Sequence, residues 1–129
     1  MARDSETILV VDDDAEMLGL THMMLTRSGY NVLIAGSGKE ALKLLESAPE
    51  LTVDLLLVDL IMPGMNGNEL VDHVHKTRPG LPVVYCSAYP NQPILHSILA
   101  RGIPYITKPF TPVQLTDKIR AVLNNPRVL

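Results

Sequence analysis

The sequence predicts an α/β domain with a parallel sheet covered by helices on both faces, and three observations lead there. Short runs rich in Val, Ile and Leu recur at about 7–11, 31–35, 54–59, 82–86 and 103–107. A segment of helical periodicity follows each run, and such alternation calls for a parallel sheet between helical layers. Two of the runs stop on acid: Ile8-Leu9-Val10-Val11 on Asp12-Asp13-Asp14, and Leu55-Leu56-Leu57-Val58 on Asp59. Right-handed crossovers put every strand C-terminus on one edge, where ligands bind in open α/β sheets.

Five helical segments follow the strand runs. Met17, Leu18, Thr21, Met24, Leu25 and Ser28 form one face of the first, and Gly29 falls where it should end. Ser37 with Glu40 three residues on reads as a capping box for the second. Its stripe is Ala41, Leu44, Leu45 and Ala48, at i, i+3, i+4 and i+7. Gly80 marks the end of the third. The fourth, around 91–100, is short, with Ile94, Leu95, Ile98 and Leu99 as its apolar positions. Thr111 with Gln114 caps the fifth, Pro112 sits where a first-turn proline is tolerated, and Leu115, Ile119, Val122 and Leu123 form its face. With no linker or repeat, residues 1–129 read as one domain, with a core of about 7–124 and tails at 1–6 and 125–129.

Composition narrows the function. The net charge of −3, from 14 acidic and 11 basic residues, gives no general drive toward nucleic acid or an anionic membrane, so direct contact with either is not expected. One cysteine, Cys86, cannot form an intrachain disulfide and fits a reducing compartment. Residues 1–6 lack the apolar core of a signal peptide, and no apolar stretch approaches the ~20 residues of a membrane span. The expected location is cytoplasmic.

The chemistry sits at the strand tips. After the first strand come Asp12 and Asp13, after the third Asp59, after the fourth Ser87-Ala88, and after the fifth Lys108-Pro109-Phe110. Carboxylates with room for water suit a hard cation such as Mg²⁺. A hydroxyl and a lysine are donors for phosphate oxygens. A carboxylate can itself be the nucleophile and become an aspartyl phosphate. Phosphoryl transfer needs mainly positioning and charge neutralisation, which this set supplies.

Over about 7–124 the chain resembles the receiver domain of two-component response regulators. The matching motifs are Ile8-Leu9-Val10-Val11-Asp12-Asp13, Val58-Asp59-Leu60-Ile61-Met62-Pro63-Gly64-Met65-Asn66-Gly67, Ser87-Ala88 and Tyr105-Ile106-Thr107-Lys108-Pro109-Phe110. The resemblance implies a flavodoxin-like (βα)5 fold, its five parallel strands in the order 2-1-3-4-5. It implies that Asp59 accepts a phosphoryl group from a phosphohistidine on a histidine kinase or histidine phosphotransfer domain. Asp12, Asp13, Asp59 and the Ile61 carbonyl would hold Mg²⁺, with Mn²⁺ as a substitute. Ser87 would hydrogen-bond the phosphoryl group and Lys108 would pair with it. The Lys108–Pro109 bond would be cis. Ser87 and Tyr105 would form a switch that alters the surface near the fourth and fifth helices, where a downstream protein or a second copy would dock. The bland alternative for Tyr105 is a half-buried ring on an edge strand.

Some positions depart from the family pattern or read more simply. Asn66 replaces a frequent Asp and, with Glu69, caps the following helix equally well. Ile61 and Tyr89 line the expected path of the hydrolytic water, and apolar Ile61 cannot orient it, so self-dephosphorylation should be slow. Asp14 reads as a helix-start acid. His22, His73, His75 and His96 lack metal-ligand spacing. Cys86 reads as a small buried hydrophobe. Ile94 or Leu95 on the fourth helix is the expected exposed apolar surface.

Three other functions compete, one of them a flavodoxin-like flavin carrier, which would need a Ser/Thr/Gly-rich phosphate loop where Asp12-Asp13-Asp14 would repel the phosphate. A Mg²⁺-dependent phosphatase with an aspartyl nucleophile usually has a second Asp two residues on, where Ile61 stands. A receiver that works without phosphorylation would not need the full set of Asp12, Asp13, Asp59, Ser87 and Lys108. The family role is that of a phosphoacceptor rather than an enzyme acting on outside substrates. Its length leaves no room for an output domain, so the chain is expected to be a stand-alone regulator or the receiver of a hybrid sensor histidine kinase.

Overall fold

A computed structural model describes residues 5–88 and 92–124. Ten elements alternate without exception: β1 (Thr7–Val11), α1 (Ala15–Arg27), β2 (Asn31–Ala35), α2 (Gly38–Ser47), β3 (Leu55–Asp59), α3 (Gly67–Thr77), β4 (Val83–Ser87), α4 (Pro93–Ala100), β5 (Tyr105–Thr107) and α5 (Pro112–Asn124). All strand pairings are parallel, and the sheet order is β2-β1-β3-β4-β5. β3 lies at the centre, buried at every residue.

Strand side chains alternate between two apolar layers. Leu9, Val11, Leu56, Val58 and Tyr85 face α2, α3 and α4. Ile8, Val10, Leu55, Leu57, Val84 and Cys86 face α1 and α5. No described helix is long and apolar enough to cross a membrane.

Caps fix where the helices begin. The Asp14 carboxylate accepts the Glu16 and Met17 N–H groups, as a helix-start acid should. Asn66 and Glu69 form a reciprocal capping box on α3. Thr111 and Gln114 exchange the same pair of bonds at the start of α5. At α2, Ser37 Oγ accepts the Glu40 N–H. Gly29 closes α1 at φ 96°, beyond reach of most L side chains.

Three local expectations shift. α3 ends at Thr77, and Gly80 (φ 80°) instead occupies a turn closed by the Leu81 N–H on the Arg78 carbonyl. β5 is three residues long rather than 103–107. The Ile103 N–H is spent on the Ile98 carbonyl at the end of α4, and Pro104 has no N–H to give. On α4, Leu95 is buried at 2 % exposure, Ile94 is partly buried and packed on the core, and Leu99 is the exposed apolar residue at 52 %.

The α3 cap yields a stability test. Asn66→Ala should cost about 1 kcal/mol and Asn66→Asp less than about 0.5 kcal/mol, both read from urea unfolding. Equal losses would mean that the cap is not the reason for the residue.

Candidate functional site

Parallel order brings the tips of β1, β3, β4 and β5 to one edge. Asp12 follows β1, 3 % exposed, and Asp59 ends β3, 7 % exposed. Asp13 projects outward to solvent. One oxygen from each of Asp12, Asp13 and Asp59 lies within 4.8 Å of the others. Among the described residues this is the one group of His, Cys, Asp or Glu so arranged.

Lys108 neutralises part of that charge. Its Nζ donates to Asp12 Oδ2 at 2.6 Å and to Asp59 Oδ2 at 2.8 Å. The other carboxylate oxygens accept backbone donors: Asp12 Oδ1 from Asp14 N–H at 2.9 Å, Asp59 Oδ1 from Ile61 N–H at 3.0 Å. The Lys108 stem is itself anchored, its N–H on the Ser87 carbonyl at 3.0 Å and its peptide to Pro109 cis. The Tyr105 hydroxyl donates to the same Ser87 carbonyl at 3.1 Å, with the ring half-buried against the α4 side. Ser87 is fully buried. Tyr89 lies outside the described residues.

Burial and hydrogen bonding pull in opposite directions at Asp59 and Lys108. Burial raises the Asp59 carboxyl above its ordinary value, against the lowering effect of Lys108 and the Ile61 N–H. Burial also works against the Lys108 ammonium, but its hydrogen bonds to Asp12 and Asp59 outweigh this and hold it well above the usual lysine range. The Cys86 thiol, also driven up by burial, is an inert part of the core.

A cleft of about 540 Å³ opens on the cluster, lined among others by Asp13, Met17, Asp59, Ile61, Ala88 and Lys108. A comparable cleft of about 570 Å³ between α2 and α3 has Glu46 as its one carboxylate and lacks this convergence. The donors at the strand tips are all oxygen, and the Asp13 side is open to water. That set fits a hard divalent cation. His22, His73 and His96 are exposed, and His75 Nε2 lies 3.0 Å from the Leu81 carbonyl, so the histidines stay outside the site.

Gly67 is the participant whose role the motif alone did not reveal. A Cβ there would stand 2.5 Å from the Asp59 carbonyl oxygen and 2.9 Å from Leu60 Cα. The first turn of α3 therefore rests directly on the Asp59 peptide, with the Gly67 N–H on the Leu60 carbonyl at 3.0 Å. A glycine just after a helix cap is a weak signal, because the carbonyl that excludes the side chain is known only from the fold.

A family model described as the response regulator receiver domain matches residues 8–120. The transcriptional regulatory protein CpxR of Klebsiella pneumoniae is 37% identical over 119 residues, which cover 90% of this chain and 48% of that protein. The DNA-binding response regulator MtrA of Mycobacterium tuberculosis is 35% identical over 119 residues, covering 92% of this chain and 50% of its own. The chain thus spans about half the length of these relatives. MtrA is named as DNA-binding, so the expectation of no direct nucleic-acid contact finds no support among them. A crystal structure of a CheY-like response regulator receiver domain protein from Methanospirillum hungatei superposes with a TM-score of 0.81 at 35% identity, covering 93% of this chain and 94% of that one.

The raised Asp59 pKa sets a pH test. Its folded value stands above the unfolded value near 3.8, so the ionised group subtracts stability above the folded pKa. That penalty fades as pH falls below the unfolded value. Asp59→Asn should therefore be more stable than the wild type at neutral pH, with the gap closing in acid, as read from urea unfolding across pH. A variant less stable at neutral pH would show that the Lys108 pairing dominates over burial.

Proposed function

The chain belongs to the response regulator receiver family, and from that membership we propose that it takes a phosphoryl group onto Asp59 from a phosphohistidine donor. The observation that carries this reading is the Asp59 carboxylate at the tip of the central strand, within reach of Asp12, Asp13 and Lys108. An Asp59 oxygen attacks phosphorus, a P–O bond forms, the P–N bond breaks and the electron pair leaves with the imidazole. The product is an acyl phosphate, and no outside oxidant or reductant is needed.

Each neighbour has a task. Lys108 releases an Asp59 oxygen and pairs with the new phosphoryl oxygens as a point charge. Ser87, at the tip of β4, donates its hydroxyl to the same group. Asp12, Asp13, Asp59 and the Ile61 carbonyl would hold Mg²⁺, or Mn²⁺ in its place, and the ion would offset the negative charge of carboxylates and phosphate. Ile61 lines the cleft with a side chain that cannot orient a water molecule, which favours a long-lived acyl phosphate.

The output is a change of surface. Tyr105 packs between the Ser87 carbonyl and the α4 side of the sheet. Engagement of Ser87 by the phosphoryl group shifts this ring and with it the face formed by α4, β5 and α5. Leu99 at 52 % and Val113 at 66 % exposure give that region apolar anchors for a downstream protein or a second copy. In a longer chain like its relatives, that face would act on the remaining half.

Labelling with radioactive acetyl phosphate tests the core of the reading. The wild type should take up label in Mg²⁺ and not in its absence, while Asp59→Asn takes up none in either case. Label retained by Asp59→Asn would sink it. Ile61→Asn should shorten the phosphoryl lifetime severalfold, and an unchanged lifetime would remove Ile61 from the control of hydrolysis.

A further inference from the structure

Tyr85 is the largest fully buried side chain among the described residues. It stands on β4 between Val58 of β3 and Tyr105 of β5, in register with both and on the same face of the sheet. A phenylalanine would fill that space without bringing a polar atom into the core. A buried hydroxyl must find a partner, and this one donates to Asn68 Oδ1 at 3.2 Å. Burial pushes the phenol up to about 12, so it remains a donor at neutral pH.

Asn68 is the second residue of α3, and Gly67 before it touches the site. The 2.5 Å that would separate a Gly67 Cβ from the Asp59 carbonyl oxygen leaves no slack between the helix and the strand tip. The Asn66 cap orders the helix internally but does not fix where the helix sits on β4. The Tyr85 hydroxyl bridges those two elements.

We propose that Tyr85 is a positioning residue for Asp59: through Asn68 its hydroxyl holds the first turn of α3 against the Asp59–Leu60 peptide. The carboxylate and the Ile61 N–H bonded to it are thereby held in place. Its consequence for phosphorylation rests on the phosphoacceptor reading of Asp59.

The test uses the full chain with Tyr85→Phe, Asn68→Ala and the double variant. Amide hydrogen exchange is followed at Gly67 and Ile61, with Leu56 in the central strand as reference, beside the rate of labelling by acetyl phosphate in Mg²⁺. Tyr85→Phe should speed exchange at Gly67 and Ile61 by about twofold to tenfold, the range one net hydrogen bond commands, and leave Leu56 unchanged. Labelling should slow by a similar factor. Asn68→Ala should give the same change, and the double variant no more than either. Unchanged exchange at Gly67 and Ile61 overturns the proposal whatever the labelling does, and so do losses that add in the double variant. Exchange that responds in a wild type and variants that take no label supports the positioning role and removes the phosphoacceptor reading instead.

Discussion

One ammonium group, Lys108 Nζ, stands between two carboxylates from different strands, and the site depends on that contact. Asp12 and Asp59 are both nearly buried, and a third acid, Asp13, is within 4.8 Å. Buried charges of one sign are unfavourable without a counter-charge. The fold supplies it because all strands are parallel and β5 delivers its C-terminal end to the same edge. Three acids still face one ammonium, and the remaining negative charge is what a divalent cation would balance.

At the opposite edge of the sheet, side-chain contacts tie α5 to the strands. Arg120 of α5 donates to Glu6 at 2.6 Å and to the Tyr30 hydroxyl at 2.8 Å, and lies 5.5 Å from the Tyr30 ring centroid. This ties α5 to the entry of β1 and β2. Arg120 is substantially exposed, so the energy of the pair is modest and its value lies in orientation.

What could be read from the sequence was mostly local. Strand runs, the caps at Ser37, Asn66 and Thr111, and the acids at strand ends obey rules that span a few residues. Strand order followed from the family resemblance carried by the motifs around Asp12, Asp59, Ser87 and Lys108, and the fold has that order. The failures were non-local. Ile94, Leu95, Ile98 and Leu99 make an apolar stripe too broad to show which side meets the sheet, and the fold buries Leu95 while exposing Leu99. The end of α4 consumed the N–H of Ile103 and shortened β5. The tasks of Gly67 and Tyr85 depend on which backbone lies opposite, and sequence spacing contains no such distance.

Rigidity and mobility are divided within the site, between the backbone of Asp59 and the side chain of Lys108. Asp59 sits on the central strand in register with Cys86, and the Leu60 N–H bonds the Cys86 carbonyl at 2.9 Å. With Gly67 against its carbonyl, the Asp59 backbone has nowhere to go. Lys108 is different: its backbone is held, but its charge rides on a flexible four-carbon stem. A guanidinium there would be a planar fork that grips paired oxygens in one orientation. An ammonium is a point charge with three donors, so it can exchange one oxygen for another without re-aiming a plane. On the phosphoacceptor reading proposed above, the same lysine would serve Asp12 and Asp59 before modification and a phosphoryl oxygen after it.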